Sequence, residues 1–489
     1  MAGKVISLNT FNGGMTSDDR SEIDNEFALL QHFDTYTRAH RLTPHNTLAS
    51  VDSASTTYEM TDFLYYGSLV WGLGHTSGGV HPEVRSSTLG VADSWTGYAG
   101  GANTVLPGAF VQYHSYLYGG YSDSYSVWKF DTSGHSFTDA ADSATLSDYI
   151  TANGVVHSKD DILYFGCGKY IAKNNAGTWT AAALTLPTGY TIAALCEYGD
   201  YLAIGCRTNR NGKSVVYLWD RNTALATVSE SIDWGTGDIY ILKQVEEQLI
   251  GISLDTTGSR TDPRIIFREY VSGVGALTFR EFVGSATTTF SLGGSSVTCA
   301  QVVNNRLYFP MEAKLAGTQR SGIWCVGRPS PNKPWAVWLD YMPNGDTVVS
   351  GLKGFVVVGA NIVLAYNNSG YAVKSITSTA AYSGTSVVKT NINQGMPVAD
   401  LTKQKQLKAL AVSMVPLTSD QQVVLKYAVD GGSLVTARTT TATGTVTAEM
   451  STATLTQQTG REFVFQVEST GGAEITEIKY LYEINNTLL

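Results

Sequence analysis

Charge is scarce in this chain of 489 residues. Asp, Glu, Lys and Arg together make up 15%, against about 25% in ordinary soluble domains. What charge there is leans negative, with a net of −9. That balance argues against a sequence-specific nucleic-acid reader, whose affinity rests on cations that meet phosphate. Long hydrophobic runs are also missing. No apolar stretch approaches the ~20 residues of a membrane-spanning helix, and the mean hydropathy is −0.05. The opening residues Met1-Ala2-Gly3-Lys4 lack the apolar core of a signal peptide, so synthesis in a cytoplasm without export is expected. Cysteine is sparse and odd in number: Cys167, Cys196, Cys206, Cys299 and Cys325. None lies in a CxxC spacing, which speaks against zinc or a disulfide framework and for small buried hydrophobes.

What the chain has instead is glycine (49) and tyrosine (27), with abundant Ser and Thr. Thr and aromatics favour a pleated surface, so this is the make-up of β-sheet with many short turns. It also fits large surfaces buried against partners, because interface cores lose charge and gain aromatics.

A Leu-aromatic-x-Gly tetrad recurs along the sequence. It reads Leu64-Tyr65-Tyr66-Gly67, Leu117-Tyr118-Gly119-Gly120, Leu163-Tyr164-Phe165-Gly166 and Leu202-Ala203-Ile204-Gly205. Weaker relatives start at Leu249, Leu307 and Ile362. The intervals of roughly 40 to 60 residues are those of a four-stranded propeller blade. Asp161–Cys167 and Asp200–Cys206 align without a gap, which puts two cysteines at equivalent strand positions. A second β run follows most tetrads, such as Val215-Val216-Tyr217-Leu218-Trp219. Asp, Asn or Gly turns close several of these runs. The predicted fold is all-β: a β-propeller of about seven blades over residues 51–385, preceded by an N-terminal arm, 1–50. Two stacked sheets are the alternative. A helix is predicted only around Asp24–Phe33. Composition shifts near Gly384, and alternating runs such as Glu462–Glu468 predict a C-terminal antiparallel β-sandwich over 386–489.

Residues that could carry chemistry are few. All eight histidines lie between His32 and His157, but none forms HxH or HxxxH, so no metal site is nominated. Asn175-Ala176-Gly177-Thr178-Trp179 and Asp131–Phe137 only approximate the Asp-box turns of sialidase propellers. Acidic residues are too dispersed to name the two carboxylates that glycoside hydrolysis needs. No catalytic residue and no cofactor is predicted. Basic residues gather in the turns that follow the tetrad strands: Arg207, Arg210, Lys213, Arg260, Arg264, Lys314 and Arg320. Propeller topology puts these turns on one face of the disc. They form a candidate docking surface for an acidic protein or an anionic glycan.

The N-terminal stretch Ile6–Glu22 contains Phe11-Asn12-Gly13-Gly14-Met15. A phosphate-binding loop would need a Lys-Ser/Thr or GxGxxG run, and a nucleophile elbow a Ser between glycines. Neither is present. Phe11, Gly13, Gly14 and Met15 are therefore read as a sharp docking turn that lets the strand Lys4–Leu8 pack onto the body or a neighbouring subunit. The stretch with this turn and the exit Arg41-Leu42-Thr43-Pro44 resembles the N-terminal arm of propeller-bearing bacteriophage tail proteins, including podophage nozzle and siphophage tail-tip proteins. The resemblance implies a non-enzymatic virion component of the tail. Its partners would be further copies of itself and neighbouring tail proteins. A tail protein that binds a host surface glycan or receptor, and a glycan-degrading propeller enzyme, are the alternatives.

Overall fold

Each repeat folds as an antiparallel meander of four strands. The computed structural model describes residues 3–485 apart from 12, 17–25, 35–39, 53–57, 77–82, 90–94, 101–109, 122–123, 140–144, 209–211, 226, 257–261, 285–298, 316–317, 329–330, 343–351, 360, 368–370, 382–383 and 452–458. Among these residues seven four-stranded units form blades, and those of blades five and six join into one sheet through the pairs Val283–Lys314 and Gly284–Ala313. Blade one is Tyr58–Tyr66, Leu69–Thr76, Glu83–Thr88 and Thr96–Ala99. Blade two is Val111–Tyr113, Tyr116–Gly120, Val127–Asp131 and Ser136–Thr138. Blade three is Val155–His157, Ile162–Cys167, Tyr170–Asn175 and Thr178–Thr185. Blade four is Tyr190–Tyr198, Tyr201–Thr208, Lys213–Trp219 and Glu230–Thr236. Blade five is Asp238–Val245, Gln248–Asp255, Arg264–Val271 and Gly275–Gly284. Blade six is Gln301–Val303, Arg306–Leu315, Thr318–Gly327 and Ala336–Tyr341.

Blade seven takes three strands from late in the chain, Leu352–Val358, Asn361–Asn367 and Tyr371–Ala381. Its outer strand is Asn46–Asp52, which spans the predicted arm boundary and pairs through Ala49–Ser375 and Leu48–Ile376. The first strand of blade seven lies against that of blade one, so the ring closes.

Six of the seven tetrads fall on the second strand of a blade. The exception is Leu64–Gly67, which sits at the end of a first strand and its turn. The equivalent position in blade one is Leu69-Val70-Trp71-Gly72. The tetrad glycine has a packing reason. A Cβ on Gly166 would stand 2.5 Å from Cγ2 of Ile192, on the first strand of the next blade; one on Gly205 would stand 3.1 Å from Cγ2 of Ile239, one blade further on. Backbone and neighbouring blade approach too closely for a larger residue. The cysteines pack as predicted: Cys167, Cys196, Cys206 and Cys325 are buried and all five are free. Burial pushes the Cys196 thiol up to about 11 and Cys167 to about 12.

The arm is stitched into both domains. Lys4–Leu8 is a strand, and it pairs antiparallel with Ile475–Ile484. Lys4 Nζ also meets the buried carboxylate of Asp400 at 2.5 Å. Gly14 has φ +79°, and Met15 N donates to Val337 O of blade six at 2.7 Å. Phe11 and Met15 are buried, with Phe11 5.6 Å from Phe27. The docking turn thus anchors to the body of its own chain. The predicted helix is absent among the described residues of its span. Leu29–Gln31 is a strand inserted between Ala336–Tyr341 of blade six, which it meets in parallel, and Thr385–Lys389, which it meets antiparallel. Two open sheet edges compete for this segment, and their hydrogen bonds override its helical pattern.

Thr385–Lys389 opens the C-terminal sandwich. It continues into Phe463–Thr470, Gln422–Val429 and Val435–Thr440. The facing sheet holds Lys4–Leu8, Ile475–Ile484, Lys405–Met414 and Thr447–Ser451. Phe463–Thr470 alternates buried and half-buried residues strictly, the mark of a sheet covered on one face. Phe465 and Tyr480 meet at 4.5 Å in the core between the sheets.

Candidate functional site

Turns between second and third strands, and connections between blades, emerge on the same face of the disc. Most of the predicted basic residues lie there, and of the five that are described most are paired within the molecule. Arg207 lays its guanidinium over the Tyr240 ring at 4.4 Å, and its Nε donates to Ile239 O. Arg264 pairs with Glu281 at 3.1 Å and Lys314 with Asp262 at 2.6 Å. Arg320 is half-buried, while Lys213 stands exposed. Arg210 and Arg260 lie outside the described residues. The sequence displays the cations of these hairpins more plainly than the carboxylates that neutralise them, because Glu281 arrives from the next strand over.

The same face carries a feature that the sequence reading passed over. Tyr125, between the second and third strands of blade two, is 47% exposed, and Tyr149, in the connection to blade three, is 39% exposed. Their rings stand 4.4 Å apart, inclined by 55°. The Tyr149 hydroxyl beside it raises the Tyr125 phenol above its ordinary range. Both tyrosines rest on fixed backbone. Leu146 N donates to Tyr125 O at 2.7 Å, and Ile150 bridges to Cys167 of blade three. Around the rings are Asp148, whose Oδ1 accepts from Tyr149 N, and the Ser124–Ser126 hydroxyl pair at 2.7 Å. Asp148 Oδ2 would stand 2.0 Å from a Cβ on Gly168, so the carboxylate lies against the hairpin tip of blade three. Two rigid exposed rings edged by a carboxylate and hydroxyls can lay an apolar face against a ligand and hydrogen-bond its rim.

At the axis of the ring, Asp62 of blade one, Lys243 of blade five and Cys299 before blade six act on one another. Asp62 is buried, and burial pushes its carboxyl up to about 7, against the pull of Cys299, the Phe63 N–H and Lys243. Blades one and five are not neighbours in the ring, so this cluster spans the central channel. Among the described residues no group of His, Cys, Asp and Glu gathers as a metal site. The histidines serve locally: His45 pairs with Asp340 at 2.7 Å, and His157 sits against Arg221 at 2.7 Å.

No protein-family profile matches this chain, and no curated protein sequence matches it. Solved structures do align with it. One is a glycoside hydrolase, 11% identical, with 87% of this chain and 98% of the other covered at a TM-score of 0.29. Another is an exo-β-1,3-galactanase from Phanerochaete chrysosporium, 12% identical, covering 90% and 100% at 0.29. A third is a glycoside hydrolase family 43 arabinoxylan arabinofuranohydrolase from Bacillus subtilis, 12% identical, covering 87% and 96% at 0.32. At these scores none lends its activity or substrate to this chain.

The expectation of a non-enzymatic structural component of a tail finds no support among them: the aligned structures named above are glycoside hydrolases, and none is a tail protein. Its compositional support also has another source. Trp71, Trp128, Trp219, Trp234, Trp324 and Trp338 are all buried inside the chain, so much of its aromatic content builds the cores within and between blades.

Proposed function

We propose that the protein is a carbohydrate-binding propeller whose recognition surface is the Tyr125–Tyr149 platform. The observation that carries this reading is two exposed phenol rings held 4.4 Å apart on anchored backbone. Hydration of such rings is unfavourable, and a sugar's C–H face covers them while its hydroxyls meet Asp148, Ser124 and Ser126. The resemblance of the N-terminal arm to propeller-bearing tail proteins supports a setting on a phage tail, where the glycan would belong to the host envelope.

Titration against envelope polysaccharides by calorimetry tests the reading. Tyr125→Ala with Tyr149→Ala should weaken binding by about tenfold or more, in line with the loss of a central aromatic anchor. Tyr201→Ala, an exposed tyrosine at the opposite turns, should leave it unchanged. Release of reducing ends, followed in parallel, separates hydrolysis from binding. Equal affinity in the double variant and the parent would overturn the assignment.

A further inference from the structure

A cavity of about 460 Å³ lies where arm, propeller and sandwich meet. The arm supplies Thr16 and Ala28, the propeller Val283 and Lys314, and the sandwich most of the remaining wall. Its volume is in the range of small-molecule sites, and such sites favour domain junctions.

The polar groups of the wall are mainly donors. Lys389 is half-buried at the end of Thr385–Lys389, and among the described residues no acceptor meets its ammonium. Thr390 is buried; its Oγ1 accepts from Phe465 N at 2.9 Å, which leaves its own hydroxyl hydrogen to donate. Lys314 is held at 2.6 Å by Asp262 and keeps further N–H groups. The one carboxylate in the wall, Glu462, also acts on Lys405. Thr16 is the remaining polar side chain, and the other side chains of the wall are hydrocarbon, including Ile392, Leu434 and Val464. A half-buried ammonium that no acceptor among the described residues meets can donate a charge-assisted hydrogen bond to an anion.

We infer that this cavity is a binding site for a small organic carboxylate of monosaccharide size, with the carboxylate on Lys389 and Thr390 and the carbon skeleton against Leu434 and its neighbours. The site is separate from the tyrosine platform and stands or falls independently of it.

The test is thermal unfolding and calorimetry of the full chain with D-glucuronate, its neutral counterpart D-glucose, and inorganic phosphate. Glucuronate should raise the melting temperature in a saturable way, and glucose should not. Lys389→Met should weaken glucuronate by about tenfold or more while keeping the melting temperature of the free protein. Leu434→Trp, which fills the cavity, should abolish binding, and the Tyr125→Ala/Tyr149→Ala variant should bind as the parent does. No response to glucuronate, a response to phosphate alone, an equal response to glucose, or binding that survives both Lys389→Met and Leu434→Trp would overturn the inference.

Discussion

Between about pH 4 and pH 7, Asp62 holds on to a proton that its counterpart in the unfolded chain gives up. Its carboxyl is raised to about 7 in the fold, against about 3.9 for an Asp in water. A group raised on folding contributes stability that is complete below the unfolded value and is lost as pH rises through the folded one. Asp62→Asn keeps the shape and removes this loss. Its melting temperature relative to the parent should therefore climb between pH 5 and pH 8; a flat difference across that range would show that the carboxylate is held as an anion. Nothing local announces Asp62, whose neighbours Lys243 and Cys299 come from distant blades. Tyr125 and Tyr149 are equally silent, since an exposed tyrosine and a core tyrosine are spelled alike. The cysteines were legible because small apolar residues on strands have one ordinary fate.

The docking turn shows how tightly an element can constrain one residue. At Gly14 a Cβ would stand 2.7 Å from Val337 O and 2.8 Å from Val337 N, and both atoms belong to a strand that cannot yield. Gly14→Val should lower the unfolding free energy in urea by about 2 kcal/mol or more. Gly431→Ala, at a positive φ with open space around it, should cost only about 1 kcal/mol. Equal costs at the two positions would mean that the turn is not seated on blade six. The strands of the blades were readable because period-two runs and glycine turns repeat, and repetition averages out local ambiguity. Leu29–Gln31 was not, because its partners Leu339 and Val388 lie hundreds of residues away and impose a strand on a helical pattern.

Propeller and sandwich share hydrogen bonds through that inserted strand, so the molecule should melt as one cooperative unit in scanning calorimetry. Leu30→Pro removes a donor from the middle of the link and should split the transition in two. A parent that already shows two transitions would mean that the shared strand does not couple the domains. The all-β class, the ring of about seven and the terminal sandwich could be read from composition, repeat spacing and alternation, whereas the way the ring shuts could not, as closure joins segments with no common pattern. That closure also sets an order of events at the ribosome. Lys4–Leu8, Leu29–Gln31 and Asn46–Asp52 emerge long before their partners Ile475–Ile484, Thr385–Lys389 and Tyr371–Ala381. The newborn chain must hold three unmatched edges until the six blades that lie between the paired segments have been made, so ring closure waits on contacts of high sequence separation.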